Sequence, residues 1–154
     1  MEYELLVPSG VDIEQIIPHR RPFRFIDQIL EVEFGKRATA LLNDLSTPEY
    51  DWIRSHFPSY HLVPGVILLE ALAEVGGIAI LGLPENRNKI ALLTGADRVR
   101  WHKEIKPGDI VKLEAEITHL HSRFGRGFGR AILDDNNVAL EGLITFYILD
   151  KPDS

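Results

Sequence analysis

Apolar residues fall along this chain in two patterns. In Phe23–Phe34, Arg37–Leu45, Lys89–Trp101, Ile110–Leu120, Gly127–Leu133 and Val138–Leu149, branched and aromatic residues recur in runs of strand length. Between the second and third of these lies GVILLEALAEVGGIAILGL, Gly65 to Leu83, which is apolar almost without interruption. It predicts a helix from Pro64 to about Leu81 that is buried on most sides. Turn residues separate the strand-like runs: Gly35-Lys36, Pro107-Gly108-Asp109 and Asp134 to Asn137. Asp12 to Ile17 reads as a short helix capped by Asp12. Thr47-Pro48-Glu49 is a second helix start, predicting a helix over Pro48–Arg54. About six strands joined mostly by short turns make an antiparallel sheet. A single apolar helix is covered best by one curved sheet wrapped around it, an α+β arrangement. Apolar surface left over on the helix would suit a second subunit.

The helix is long enough to be weighed as a membrane span. Glu70 and Glu74 in its middle argue against one, because acidic side chains at a bilayer centre are costly, and neither Pro64 nor Pro84 is an interfacial anchor. The N-terminal MEYELLVPSGVDIEQ has neither a basic region nor a long apolar run, so no secretory leader is expected, and the default location is cytoplasmic. With 154 residues the expectation is a single domain over 1–154. The absence of cysteine excludes disulfides, thiolate metal sites and a cysteine nucleophile. A net charge of −6, from 17 basic against 23 acidic residues, argues against tight duplex nucleic-acid binding.

Candidate chemistry concentrates in SHFPSYHLVPGVILLEALAE, Ser55 to Glu74. Glu70 is an ionisable group on an apolar helix, and burial would raise its pKa so that it could act as a general acid. Gly65 opens that helix, where unpaired N–H groups and the helix dipole can hold a carbonyl oxygen as it gains negative charge. His56, with an unperturbed pKa near neutrality, could act as a base. Each feature has a plainer reading: a solvent-facing glutamate, a turn-making glycine, a solvated histidine. Together, a base, an acid and an oxyanion donor are the parts needed to eliminate water β to a carbonyl. His119 and His121, two apart on a predicted strand, lack a third ligand in the sequence and read as exposed strand histidines.

Three segments carry a family resemblance. They are Ile16-Ile17-Pro18-His19-Arg20-Arg21-Pro22-Phe23 with Phe25-Ile26-Asp27; His56-Phe57-Pro58 with Pro64-Gly65-Val66 and Glu70-Ala71; and Ala96-Asp97-Arg98-Val99-Arg100-Trp101 with Pro107-Gly108-Asp109. In this order they resemble the FabZ-type (3R)-hydroxyacyl-acyl carrier protein dehydratases of the hot-dog fold, in which a long central helix is wrapped by a curved antiparallel sheet. The resemblance implies a homodimer, or a trimer of such dimers, with each active site completed by two subunits. It puts the catalytic histidine on His56 and the catalytic glutamate on Glu70, supplied from opposite subunits. It puts the carbonyl-polarising amide on Gly65, and has the Leu62 carbonyl orient the histidine. Val66 and Leu69 would border the acyl tunnel, and no metal or other cofactor is implied. The chain departs from the family pattern at Ser55, Ser59 and His61, and at Glu74, where glutamine is common. Two carboxyls one helical turn apart repel when both are ionised, so Glu74 is a candidate modulator of Glu70.

Arginines and lysines cluster locally in spite of the net charge: Arg20, Arg21 and Arg24; Arg98, Arg100, Lys103 and Lys106; and Arg123, Arg126 and Arg130 in HSRFGRGFGR. Of these, Arg98, Arg100, Lys103 and Arg126 are candidates to dock an acidic acyl carrier protein bearing a phosphopantetheine-linked acyl chain. The altered positions keep other readings in view: a hot-dog acyl-thioesterase, a non-catalytic acyl-binding subunit, or a dehydratase of a specialised polyketide or polyene pathway.

Overall fold

The computed structural model describes residues 12–152, so most of the N-terminal stretch considered for a leader lies outside the described residues. The elements are β1 (Ile26–Glu33), β2 (Arg37–Leu42), α1 (Gly65–Leu81), β3 (Lys89–Trp101), β4 (Val111–His121), β5 (Phe124–Leu133) and β6 (Val138–Asp150). Short 3₁₀ segments cover Ile13–Gln15, Pro48–His56 and Pro84–Asn86. The strands form one antiparallel sheet in the order β1-β2-β4-β5-β6-β3. The sheet curves around α1, every residue of which from Ala71 to Leu81 is buried. That is the arrangement the two hydrophobic patterns predict, and among the described residues no helix is long and apolar enough to cross a membrane.

The helix lies close to the sheet because small residues line the strand beneath it. On β5, Gly125, Gly127, Gly129 and Ala131 face inward and are buried, while Arg126 and Arg130 face outward. A Cβ on Gly125 would meet Ile80, and one on Gly129 would meet Leu72, both on α1. A Cβ on Gly127 would lie 2.6 Å from the Glu116 carbonyl of the neighbouring strand. The glycines of this strand therefore serve packing, and β5 begins at Phe124, three residues before the predicted Gly127, because the alternation of exposed and buried positions already runs from Phe124.

At the other end of the sheet, β1 begins three residues later than predicted. The N–H of Phe25 leaves the strand ladder and donates to Glu74 Oε1 on α1 at 2.8 Å, while its carbonyl still accepts from Asn43 N at 2.8 Å. β3 is the opposite edge strand. Bulges at Leu93–Gly95 and Asp97–Arg100 bend it, with Arg98 at φ 53°.

Candidate functional site

His56 ends the 3₁₀ segment and is exposed, with its ring centroid 4.0 Å from that of Phe57 and the two planes tilted by 32°. Its Nδ1 lies 3.4 Å from the Leu62 carbonyl oxygen, at the long end of hydrogen-bond range. A proton held at Nδ1 would leave Nε2 free as a base. From Leu62 the chain turns through Pro64 into α1. The N–H groups that bond back to the Pro64 oxygen are those of Ile67 at 3.0 Å and Leu68 at 3.3 Å. Gly65 and Val66 before them are thus the orphan donors of this helix end. Trp101 lies against Gly65: its Nε1 donates to the Gly65 carbonyl at 3.3 Å, and a Cβ on Gly65 would come within 2.6 Å of that nitrogen. His56, Leu62, Gly65, Trp101 and Lys103 line one cavity of about 280 Å³.

Glu70 does not line that cavity. It lines a second one, of about 320 Å³, between α1, the His19 loop and the first half of β3 from Ile90 to Leu93. Here Glu70 Oε2 lies 3.1 Å from His19 Nε2. The protomer therefore separates the proposed base from the proposed acid. Val66 and Leu69 line neither cavity: Val66 stands 69% exposed, and Leu69 packs against the core.

The expected buried acid turns out to be the other glutamate. Glu74 is 1% exposed, and burial pushes its carboxyl up to about 9, with the Glu70 charge adding to the rise and the Phe25 N–H and Arg24 opposing it. The reason is position along the helix. Glu70 sits where α1 borders the cavity, whereas Glu74, a turn further in, lies beneath Phe25. A helical face shared by i and i+4 says nothing about which of the two the sheet covers. Sequence reasoning also gave no role to His19, although its motif was visible, or to the Phe25 amide and Trp101, which only the tertiary fold brings to the site.

His19, Glu70 and Glu74 each offer a ligand atom, all within 4.8 Å of one another. The three groups are close enough to pass a proton among them, and Glu74 Oε2 has no hydrogen-bond donor among the described residues.

The basic residues fall into paired and unpaired sets: Arg123 is engaged by Asp150 and Arg130 by Glu114. Arg20 and Arg24 are engaged by Glu14, and Arg21 by Glu49 and Asp27. Arg98, Arg100, Lys103 and Arg126 are exposed, and among the described residues none has a carboxylate within 4.0 Å.

Comparison with known proteins shows the family of the chain. A model of the FabA-like domain matches residues 17–141. The chain is 44% identical over 139 residues to a 3-hydroxyacyl-[acyl-carrier-protein] dehydratase FabZ of Moorella thermoacetica, covering 90% of this chain and 95% of that protein. It is 45% identical over 139 residues to the FabZ of Bacillus thuringiensis, covering 90% and 94%. Among solved structures, it resembles the dehydratase heterocomplex ApeI:P from Xenorhabdus doucetiae with TM-score 0.74 at 14% identity, over 94% of this chain and 93% of that one. It also resembles a hypothetical thioesterase with coenzyme A from Streptococcus pneumoniae, with TM-score 0.60 at 10% identity, over 82% and 88%. At such identities the solved structures establish the hot-dog fold alone.

Proposed function

The chain belongs to the FabA-like family and, within it, to the FabZ-type 3-hydroxyacyl-[acyl-carrier-protein] dehydratases, and on that premise we propose that it removes water from a (3R)-3-hydroxyacyl thioester on acyl carrier protein, giving the trans-2-enoyl thioester of fatty acid biosynthesis.

The observation that carries this reading is the division of the chemistry between two cavities bordering one free edge strand. The Glu70 cavity borders Ile90–Leu93, at the start of β3, and the His56 cavity borders Trp101, at its end. If two copies pair along β3 in antiparallel fashion, the start of one strand lies beside the end of the other. The His56 cavity of one copy then meets the Glu70 cavity of its partner, and each homodimer carries two complete sites.

In such a site His56 takes the C2 proton. The Gly65 N–H faces the thioester oxygen as charge develops on it, and Glu70 of the partner subunit protonates the departing hydroxyl. The elimination is redox-neutral, and the proposed steps use no metal or cofactor. Val66 and Leu69, on the helix face near the partner, border the path of the acyl chain. Lys103 lines the His56 cavity and, with Arg98 and Arg100 on β3 and with Arg126, offers the positive charge an acidic carrier protein would meet. A single domain over the whole chain, a cytoplasmic location and assembly of the dimers into a trimer of dimers complete the proposal.

Thioester hydrolysis would have to use Glu70 to hold the attacking water, since Glu74 is sealed from solvent. The test is the reverse reaction, hydration of an enoyl thioester followed by loss of its absorbance. His56→Ala and Glu70→Gln should each lower kcat/KM by at least about 10²-fold. Full activity in both variants would sink the assignment. Release of free thiol without enoyl chemistry would favour the thioesterase.

A further inference from the structure

Glu74 takes no part in the steps above, yet it is the most deeply buried charged residue of the described chain and touches the proposed acid. Its Oε1 accepts the Phe25 N–H at 2.8 Å, and its Oε2 is buried without a hydrogen-bond donor among the described residues. The charged groups that face it are Glu70 on its own helix, His19 from the preceding loop, and Arg24 from the segment leading into β1. Arg24 is already engaged by Glu14 at 2.9 Å, and His19 lies against Glu70. One amide donor is too little to hold a sealed carboxylate ionised. A proton on Glu74 removes that cost and turns the carboxyl into a hydrogen-bond donor toward Glu70.

Building on the assignment of Glu70 as the acid of a dehydratase, we propose that Glu70 and Glu74 hold one proton between them, and that Glu74 is a positioning residue which keeps Glu70 supplied with the proton it gives to the departing hydroxyl. The bookkeeping of protons closes. His56 gains the C2 proton as the C3–O bond breaks, the glutamate pair loses one proton to form water, and solvent returns the His56 proton to the pair before the next turnover. A glutamine at position 74 could donate the same hydrogen bond, but it holds no exchangeable acid. Two carboxyls that share a proton titrate as a unit with two separated macroscopic values. Between those values the pair as a whole keeps one proton. The upper value follows the buried member, which stands at about 9.

The experiment is the pH profile of kcat/KM for dehydration in the wild type and in Glu74→Gln, together with infrared spectra of both proteins without substrate. The wild type should hold a plateau from neutrality to about pH 8.5. Glu74→Gln should lose about tenfold per pH unit on its alkaline side, with that limb beginning at least about one unit lower. The wild type should also show the carbonyl stretch of a protonated carboxyl at pH 7, absent at pH above about 10 and absent in Glu74→Gln. Superimposable pH profiles, or an active wild type without the band, would overturn the shared proton. An inactive protein that shows the band and loses it in Glu74→Gln would overturn the dehydratase assignment while keeping the shared proton.

Discussion

At the scale of single residues, the consequence of burying Glu74 reaches beyond catalysis to stability. Its carboxyl stands at about 9 in the folded protein against 4.5 for an ordinary glutamate. Between these values the folded state binds the proton and the unfolded state does not, so unfolding releases it. Stability contributed by this proton is fully present below the unfolded value and is lost as pH rises toward 9, with a slope on the order of 1 kcal/mol per pH unit. The folded protein should therefore melt at progressively lower temperature from pH 5 to pH 9 in a thermal scan. Glu74→Gln should flatten that decline and exceed the wild type in Tm at pH 8.5. A wild-type Tm that is level or rises over this range would contradict a neutral buried Glu74. The sequence made the pair of glutamates legible and even their repulsion, since both follow from spacing on a helix. Which of them lies sealed was not legible, because that depends on Phe25 crossing over the third turn of α1 from 49 residues away in the chain.

Secondary-structure elements were legible where turn chemistry marks them. Gly35 and Gly108 adopt positive φ in the turns predicted for them, and β3 spans the predicted Lys89–Trp101. Two of the misplaced boundaries, the starts of β1 and β5, share one cause, a residue committed to a tertiary contact, whereas β2 ends at Leu42 rather than the predicted Leu45 and Pro48–His56 is a 3₁₀ segment rather than an α-helix. Phe25 gives its amide to the helix, and the first glycine of FGRGFGR makes room for Ile80. The same close approach makes neighbouring helix glycines behave oppositely. A Cβ on Gly76 would lie 2.8 Å from the Phe146 ring, which is buried and backed by the sheet, whereas one on Gly77 would make ordinary contact with Ile17 at 3.6 Å. Gly76→Ala should cost about 1–3 kcal/mol by overpacking. Gly77→Ala should be neutral or stabilise by up to about 1 kcal/mol through helix propensity. Urea unfolding of the two variants checks the contrast, and equal effects would mean that the helix does not sit against Phe146 as described.

For the whole molecule, the decisive feature is the unfinished edge. β3 carries 13 residues and, among the described residues, pairs on one side only, with β6, and it exposes Leu92 and Leu93 at 48% and 37% and Trp101 at 49%. A long apolar edge strand is a template for pairing with another chain and is rarely left open. Val66, the most exposed large apolar residue of α1, lies at the helix end next to Trp101. A second copy that continues the sheet across β3 would cover these side chains and bring the two half-sites together in one step. Folding, assembly and activity should then separate under mutation. Leu92→Lys puts a charge on the proposed seam, with its side chain already half in solvent in the single protomer, so the fold itself should survive. Sedimentation should show a shift from dimer or larger to monomer, with circular dichroism unchanged. Hydration activity should fall by at least about 10²-fold, because His56 and Glu70 would no longer meet. A monomer that kept full activity would mean that one chain completes the site by itself, contrary to the two separate cavities of the protomer.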